Sequence, residues 1–291
     1  MPEHTNSLTL EPITAHFGAR VRNTRIQDIT PSHQDELNAA LHKYQVLVFE
    51  DQKLSTQDYT AFGRMFGPIE RNLLEQFRLP EEPDIFIISN LKKDGRVIGH
   101  TDGGFVWHSD MAFAEHPAAA TMLYTLEAPV TGGDTVFASN YVSFESLTEA
   151  ERDTYRQLDV IHSFEQLYSG RSVQPKDEER KRWPDVIHPL VRMHPVTGRE
   201  GFYLGFGDVR TICGMEREES LKLIQKLTDL ATREDLIYRH KWKVGDVVIW
   251  DNRGLLHAAT PYDKDNGRRL VWRISVRGER PVRAHRPRNA A

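Results

Sequence analysis

Short apolar runs broken by glycine and proline make up most of the second half of the chain. Each run has only a few residues, which is the length of a β-strand rather than of a helix. Many short strands separated by turn residues are typical of a β-sandwich or barrel, whereas a parallel βαβ array needs strands and helices to alternate regularly. The pattern predicts strands at residues 85–88, 119–124, 135–137, 190–193, 201–204, 246–250 and 269–276.

Helical spacing of apolar residues predicts four helices, two of them in a helical N-terminal part of about residues 30–67. Thr30 supplies the N-cap of the first helix, and Ser55 supplies that of the second. A strand at residues 46–49 lies between them. We therefore predict a mainly β domain with flanking helices, and the two later helices are expected at residues 143–158 and 217–232.

No internal repeat or low-complexity linker divides the sequence, so we expect a single domain over residues 1–291. Residues 164–187 form the longest stretch without a clear pattern and are rich in charge, and loops of that length are often lids. Residues 91–106 contain four glycines, which favours a second mobile segment. Both stretches are predicted to act as a lid.

Composition and charge narrow the classes of partner. Hydrophobic residues make up 39% and charged residues 27% of the chain, and the formal net charge of −4 provides no positive field for nucleic acid or an anionic membrane. The one cysteine, Cys213, excludes an intramolecular disulfide and a multi-cysteine metal site. No apolar run approaches the length of a membrane span, and the polar residues 1–10 lack the apolar core of a signal peptide. We expect a cytoplasmic enzyme.

The tripeptide His108-Ser109-Asp110 is the main candidate for chemistry. In an extended segment, residues two apart point to the same side, so the imidazole and the carboxylate can bind one ion. His257, which follows an apolar strand and a turn, offers a third ligand. Two histidines and one carboxylate leave three adjacent positions of an octahedral ion open, which suits iron(II) and O₂. The same ligands could hold zinc and activate water, and His108 and Asp110 alone could be a half-buried histidine and a turn cap.

Arg269 follows His257 after eleven intervening residues and stands at the start of another predicted strand. A dicarboxylate that chelates a metal at one end needs a guanidinium partner for its far carboxylate. A histidine followed by an arginine about one hairpin later therefore suits a site that contains both a metal and a carboxylate anchor.

Six ordered blocks carry a resemblance to a known family. From about residue 9 to residue 278 the chain resembles the taurine/aryloxyalkanoate dioxygenase (TauD/TfdA) family of 2-oxoglutarate-dependent oxygenases. The resemblance implies a double-stranded β-helix, the cupin-like jelly roll, in agreement with the strand-rich pattern. The blocks are Trp107-His108-Ser109-Asp110, Gly132-Gly133-Asp134-Thr135, His188-Pro189-Leu190-Val191-Arg192, His194-Pro195-Val196-Thr197-Gly198, Trp250 through His257, and Arg268-Arg269-Leu270-Val271-Trp272-Arg273.

The resemblance also implies cofactors and residue roles. It implies Fe(II) as the metal, with 2-oxoglutarate and O₂ as cosubstrates. By family position, the iron ligands are His108, Asp110 and His257, the 2-oxoglutarate contacts are Thr135 and Arg269, and the substrate contact is Arg273. Thr135 is also a β-branched residue in a strand, so a packing role would explain it equally well. Arg273 could form a buried ion pair with Asp251, Asp246 or a neighbouring chain instead of binding substrate.

The primary substrate is expected to be a small organic anion, because Arg273 favours a carboxylate, sulfonate or sulfate. Asn72 falls where the taurine enzymes place a histidine that helps to bind the sulfonate, and we expect Asn72 and Met111 to contact substrate. A homo-oligomer, either a dimer or a tetramer, is also expected. Two other functions stay open at this point: a zinc hydrolase on the same site, and a jelly-roll binding module that has lost the chemistry.

Overall fold

The computed structural model describes residues 7–101, 104–169, 174–205 and 207–284. Within these ranges the α-helices, α1 to α7 in chain order, are Gln34–Tyr44, Thr56–Arg64, Asn140–Glu145, Glu149–Arg156, Phe164–Tyr168, Asp177–Arg182 and Arg217–Ala231. The strands, β1 to β20, are Thr9–Pro12, Ala19–Arg22, Val46–Phe49, Ile69–Glu70, Arg78–Leu79, Glu82–Ser89, Lys92–Lys93, Arg96–Val97, Ala118–Glu127, Thr135–Ser139, Asp159–His162, Val186–Pro189, Val191–Met193, Glu200–Phe202, Val209–Ile212, Ile237–His240, Val247–Asp251, Leu255–Ala259, Leu270–Arg277 and Val282–Arg283.

Two antiparallel sheets that face each other form the centre of the molecule. The larger has nine strands, in the order β1-β2-β3-β17-β9-β19-β6-β5, with β4 paired to β19. The smaller has the order β16-β10-β18. The pairing of β2 with β3 is parallel, and the other pairs in these two sheets are antiparallel. The mainly β jelly roll expected from the sequence is confirmed.

Both faces of the larger sheet are buried, and β9 shows how its residues divide between them. Ala120, Met122 and Tyr124 belong to a core with α1 and α2, which cover the outer face. Leu123 belongs to the core between the two sheets. Because side chains alternate along a strand, Thr121 lies on the same inner face as Leu123. The space between the sheets is therefore where polar residues of β9 can meet those of β10 and β18.

A second core lies beside the sandwich. It contains residues of β11, β13, β14, β15, α3 and α7, among them Phe144, Val160, Leu190, Ile224 and Leu227. β18 also reaches this core through Leu256, which places the strand that carries His257 between the two cores. No helix within the described ranges is long and apolar enough to cross a membrane.

Two sequence predictions differ from the structure. Residues 143–158 do not form one helix, because Thr148 accepts a hydrogen bond from the Glu151 backbone amide and starts α4 with a capping box after α3 has ended. Residues 164–187, which showed no clear pattern in the sequence, contain α5, α6 and the start of β12. Its residues 170–173, like residues 102–103 of the other predicted lid, lie outside the described residues. The lid role stays a prediction.

Candidate metal and cosubstrate site

Strand pairing brings His108 and His257 together. His257 is the central residue of β18, and its backbone exchanges two hydrogen bonds with that of His108, of 3.1 and 3.0 Å. The two residues thus form an isolated antiparallel bridge, and their ring centroids are 4.2 Å apart. Asp110, two residues after His108, lies on the same side. Residues separated by about half of the chain therefore meet through backbone pairing rather than through a loop.

The side chains of His108, Asp110 and His257 form a donor set that fits a divalent ion. One ligand atom from each lies within 4.8 Å of the other two. His108 Nε2 is 3.6 Å from Asp110 Oδ1, and His257 Nε2 is 3.6 Å from Asp110 Oδ2. His108 Nδ1 donates to the carbonyl oxygen of Val106 at 2.8 Å, so the lone pair on Nε2 stays available for a metal.

The charges of these groups suit metal binding. Burial, together with the neighbouring His108, lowers the pKa of His257 to about 3, so His257 is neutral, as a ligand must be. Burial raises the pKa of Asp110, but the Arg273 guanidinium and the two imidazoles outweigh this and hold it well below its ordinary value. Asp110 is therefore ionised.

A closed chain of hydrogen bonds orients the Asp110 carboxylate. The hydroxyl of Thr121 donates to Asp110 Oδ2 at 2.7 Å, and the Asn252 amide donates to Thr121 Oγ1 at 2.9 Å. Asn252 Oδ1 in turn accepts from Trp250 Nε1 and from the Asp110 backbone amide. The Trp250 and Asn252 side chains thus support the carboxylate ligand. Thr121 belongs to none of the six sequence blocks, so the sequence does not mark it as part of the site.

Arg269 is a buried cation, and its side chain forms no ion pair or hydrogen bond within the described part of the chain. It is 9% exposed and lines the same cavity as the three candidate ligands. Burial lowers the pKa of its guanidinium, although the nearby Tyr262 opposes this shift. A guanidinium removed from water without an anion is costly, so the site is built for an anionic ligand.

Thr135 offers a hydrogen-bond donor to the same cavity. It lies on β10, on the inner face of the smaller sheet, and its Oγ1 accepts a 3.0 Å hydrogen bond from the indole Nε1 of Trp242. Because the indole nitrogen can only donate, the Thr135 hydroxyl proton is left to point elsewhere. From the sequence, Trp242 belongs to a segment that we take as scaffold, and it carries no role in ligand binding.

Arg273 lies on the inner face of β19 and contacts Asp110 of the candidate metal site. Its Nη2 is 2.9 Å from Asp110 Oδ1, so it pairs with neither Asp251 nor Asp246. Its Nε is buried and has no hydrogen-bond partner among the described residues. Arg268, one residue from Arg269, is exposed and pairs with Glu127, as the strand alternation predicts.

A cavity of about 190 Å³ connects these groups. Besides the polar residues above, apolar side chains from several elements line it, among them Leu73, Phe86 and Phe113. Both predicted substrate residues, Asn72 and Met111, lie in its wall. Asn72 Oδ1 already accepts from the Leu74 backbone amide, and Met111 has a left-handed backbone with φ of 59°. The arrangement can hold an ion, a dicarboxylate and a small organic molecule together.

A second group of potential ligand atoms, from His42, His194 and Asp251, has a structural role. His194 Nδ1 accepts from two backbone amides, so its Nε2 carries the proton and donates to Asp251 at 3.0 Å. Arg253 forms hydrogen bonds with both carboxylate oxygens of Asp251. A proton and a guanidinium thus occupy the positions where a metal would bind.

Comparison with known proteins agrees with this geometry. Residues 9–275 match the model of the taurine catabolism dioxygenase TauD, TfdA family. An (S)-phenoxypropionate/alpha-ketoglutarate-dioxygenase of Sphingobium herbicidovorans is 32% identical over 93% of this chain and 95% of its own length. An alpha-ketoglutarate-dependent sulfonate dioxygenase of Saccharomyces cerevisiae is 31% identical, over 96% of this chain and 69% of its own.

A solved structure of a protein named AAD-2, in complex with Mn(II) and N-oxalylglycine, superimposes with a TM-score of 0.78. It is 28% identical, and the match covers 94% of this chain and 99% of that one. The names of these relatives give no support to a zinc hydrolase. The chain therefore belongs to the taurine catabolism dioxygenase TauD, TfdA family, and it is an iron(II)- and 2-oxoglutarate-dependent dioxygenase.

Proposed function

We propose that this enzyme hydroxylates a small organic acid at an iron centre formed by His108, Asp110 and His257, with 2-oxoglutarate held by Arg269 and Thr135. The observation that carries the proposal is Arg269. A buried guanidinium without an anionic partner among the described residues, in the same cavity as a His-Asp-His donor set, calls for a ligand with a free carboxylate.

The chain's own residues bind and orient the reactants. When bound, Fe(II) with 2-oxoglutarate and O₂ would supply the oxidising chemistry. Arg269 holds the far carboxylate of 2-oxoglutarate, and the Thr135 hydroxyl donates to it. The Thr121 hydroxyl keeps one oxygen of Asp110 in place, so the carboxylate presents a defined face.

The relatives' names support an organic acid as the primary substrate. They include a phenoxypropionate dioxygenase, a sulfonate dioxygenase and a sulfate ester dioxygenase, all acting on compounds with an acidic group. Arg273 is suited to that group, because its buried Nε donor has no partner among the described residues. Asn72 and Met111 would contact the rest of the molecule from the cavity wall.

The decisive experiment is anaerobic binding of 2-oxoglutarate to the iron(II)-loaded protein, followed through the weak visible charge-transfer band. Arg269→Ala should weaken 2-oxoglutarate about 10- to 100-fold, the contribution expected of a charge-assisted bidentate contact. Iron(II) affinity should stay unchanged. The neighbouring Arg268→Ala is the matched control, since its guanidinium faces solvent and pairs with Glu127.

Equal 2-oxoglutarate affinities for Arg269→Ala and Arg268→Ala would remove the role of Arg269. If the wild type gave no band with iron(II) and 2-oxoglutarate, the assignment of the whole site would fail. A homo-oligomeric state (a dimer or tetramer) and a cytoplasmic location stay predictions from the sequence. Light scattering on the purified protein tests the first, and localisation of the tagged protein in its host tests the second.

A further inference from the structure

The block His188-Pro189-Leu190-Val191-Arg192 stands out in the sequence, but none of the roles assigned above uses it. His188 lies in β12, which pairs with β11 opposite Val160, and it is 1% exposed. The rings of His162 and Tyr203 pack around it, with centroids 5.5 and 5.7 Å from that of His188. The imidazole is therefore fixed by a strand pair and by its neighbours.

The Nε2 atom of His188 makes the hydrogen bond that this ring has among the described residues. It lies 2.9 Å from the carbonyl oxygen of Ala114, and because a carbonyl oxygen can only accept, Nε2 carries the proton and donates it. Nδ1 is buried and has no hydrogen-bond partner within the described ranges. The ring thus binds the backbone four residues after the proposed iron ligand Asp110.

Between Asp110 and Ala114 the chain makes a tight turn with an unusual backbone. Met111 has a φ of 59°, in the left-handed region that is unfavourable for a residue with a side chain. Such a conformation persists only where the surrounding structure holds it. The Ala114 amide donates to the Met111 carbonyl oxygen at 2.8 Å, and His188 donates to the carbonyl oxygen of Ala114. One hydrogen bond closes the turn from within, and one from β12 anchors it.

This turn is part of the wall of the active-site cavity, since Asp110 and the three residues after it line the cavity. The backbone before Asp110 is fixed to β18, because the Ser109 hydroxyl donates to the Leu255 carbonyl oxygen at 2.8 Å. Movement of the turn would therefore change the direction in which Asp110 leaves the backbone. Thr121 contacts the Asp110 carboxylate itself, whereas His188 acts on the chain that carries it.

We propose that His188 is a positioning residue of the iron site. Through the Ala114 carbonyl it fixes the turn after Asp110, and so it holds the Asp110 carboxylate in the direction that the metal requires. His188 does not line the cavity, so it acts on the ligand through the backbone of the turn. The inference rests on the proposed function, because it takes Asp110 as an iron ligand.

Two amide substitutions separate the hydrogen bond from the imidazole ring. His188→Gln places its amide nitrogen near the position of Nε2 and can still donate to Ala114, whereas His188→Asn is one methylene shorter and cannot reach it. Iron(II) binding is measured by anaerobic calorimetry. Amide hydrogen exchange of residues 109–116 is measured on the metal-free protein, where the Ala114 amide reports on the turn.

His188→Asn should raise the iron(II) Kd about tenfold, which is the lower end of the effect of removing a group that orients a metal ligand. Exchange of the Ala114 amide should become about tenfold faster, as expected when one hydrogen bond no longer anchors the turn. His188→Gln should stay within about threefold of the wild type in both measurements.

The affinity for 2-oxoglutarate at saturating iron(II) provides a contrast. Thr135 lies on β10 and Arg269 directly precedes β19, so neither depends on the turn, and the 2-oxoglutarate Kd should change less than about threefold in both variants. Ile224→Ala, which removes apolar contacts of α7 in the second core, is the control for a general loss of stability. It should lower the thermal stability and leave the iron(II) Kd unchanged.

The inference is overturned if His188→Asn keeps the wild-type iron(II) Kd or the wild-type exchange of Ala114. It is also overturned if His188→Gln binds iron(II) as weakly as His188→Asn, or if Ile224→Ala raises the Kd as much. A wild type that gives no charge-transfer band with iron(II) and 2-oxoglutarate would instead count against the proposed function, because the exchange measurement needs neither.

Discussion

Trp242 limits the directions in which the hydroxyl of Thr135 can donate. A threonine hydroxyl has one proton and two lone pairs, and the indole Nε1–H takes a lone pair. The proton is then available to a carboxylate in the cavity that Thr135 shares with Arg269. Trp242 itself does not line the cavity, so it acts on a ligand only through Thr135. It is a positioning residue.

Trp242→Phe should raise the Kd for 2-oxoglutarate about three- to tenfold, because an unheld hydroxyl contributes less than one whole hydrogen bond to binding. Iron(II) affinity should not change. Thr135→Val should have a similar or larger effect, and the double variant should be no worse than Thr135→Val alone. Anaerobic titration of the charge-transfer band measures all three. Additive effects in the double variant would show that Trp242 does not act through Thr135.

The carboxylate of Asp110, a proposed iron ligand, is held by neighbouring side chains in a similar way. Thr121 Oγ1 accepts a hydrogen bond from the Asn252 amide and donates its own proton to Asp110 Oδ2. Asn252 Oδ1 is held by Trp250 and by the Asp110 backbone. Thr121 of β9, Trp250 of β17 and Asn252 in the turn after β17 therefore determine how the Asp110 carboxylate is oriented in the candidate metal site.

At the scale of elements, α3 packs against the turn that precedes β18. A Cβ at Gly254 would overlap the ring of Tyr141, whose side chain is fully buried. Gly254→Ala should destabilise the protein by about 1–3 kcal/mol, the usual cost of overpacking a buried site. It should also weaken iron(II) binding, because His257 lies three residues further along. Thermal unfolding and metal titration measure the two effects.

A second substitution, at Tyr141, distinguishes this clash from a general defect of the turn. In Gly254→Ala/Tyr141→Leu, the smaller side chain leaves room for the new methyl group. We expect it to recover iron(II) affinity relative to Gly254→Ala, even though Tyr141→Leu alone costs some stability. If the double variant bound iron(II) no better than Gly254→Ala, contact with Tyr141 would not be what positions β18.

The strands were predictable because their side chains alternate between two buried faces or form short apolar runs. The residues of β3 were predicted without error, and β9, β17 and β19 within a few residues. The prediction of one helix at residues 143–158 was wrong. The apolar spacing continues through Thr148, but the local capping box starts a new helix there. A capping box is visible in sequence, but it competes with periodicity that extends over more residues.

The site was predictable only where a motif marks it. His108, Asp110, His257, Thr135, Arg269 and Arg273 stand in ordered blocks, and the structure brings all six to one cavity. Their roles stay proposals until binding is measured. Thr121 and Trp242 are single polar or aromatic residues in unremarkable segments. Their meaning comes from long-range strand pairing, which no local pattern encodes.

For the whole molecule, buried histidines link stability to pH. Burial lowers the pKa of His188 to about 4 and that of His257 to about 3, and it also lowers the pKa of His42. In the unfolded chain these groups titrate near 6.5. Below that pH the unfolded state binds more protons than the folded state, so acid favours unfolding. Carboxylates such as Asp110 and Asp251, whose pKa values are lowered, add to this only nearer pH 4.

The metal-free protein should therefore lose free energy of unfolding as the pH falls from about 6.5 towards 4, with each fully buried histidine contributing about 1.4 kcal/mol per pH unit. His188→Gln should make this dependence shallower by about that amount, since its imidazole is 1% exposed and stays neutral in the folded protein until the pH approaches its lowered pKa of about 4. Urea denaturation at a series of pH values measures the slope. The exposed His116→Gln serves as control. An unchanged slope in His188→Gln would mean that this histidine becomes protonated while the protein stays folded.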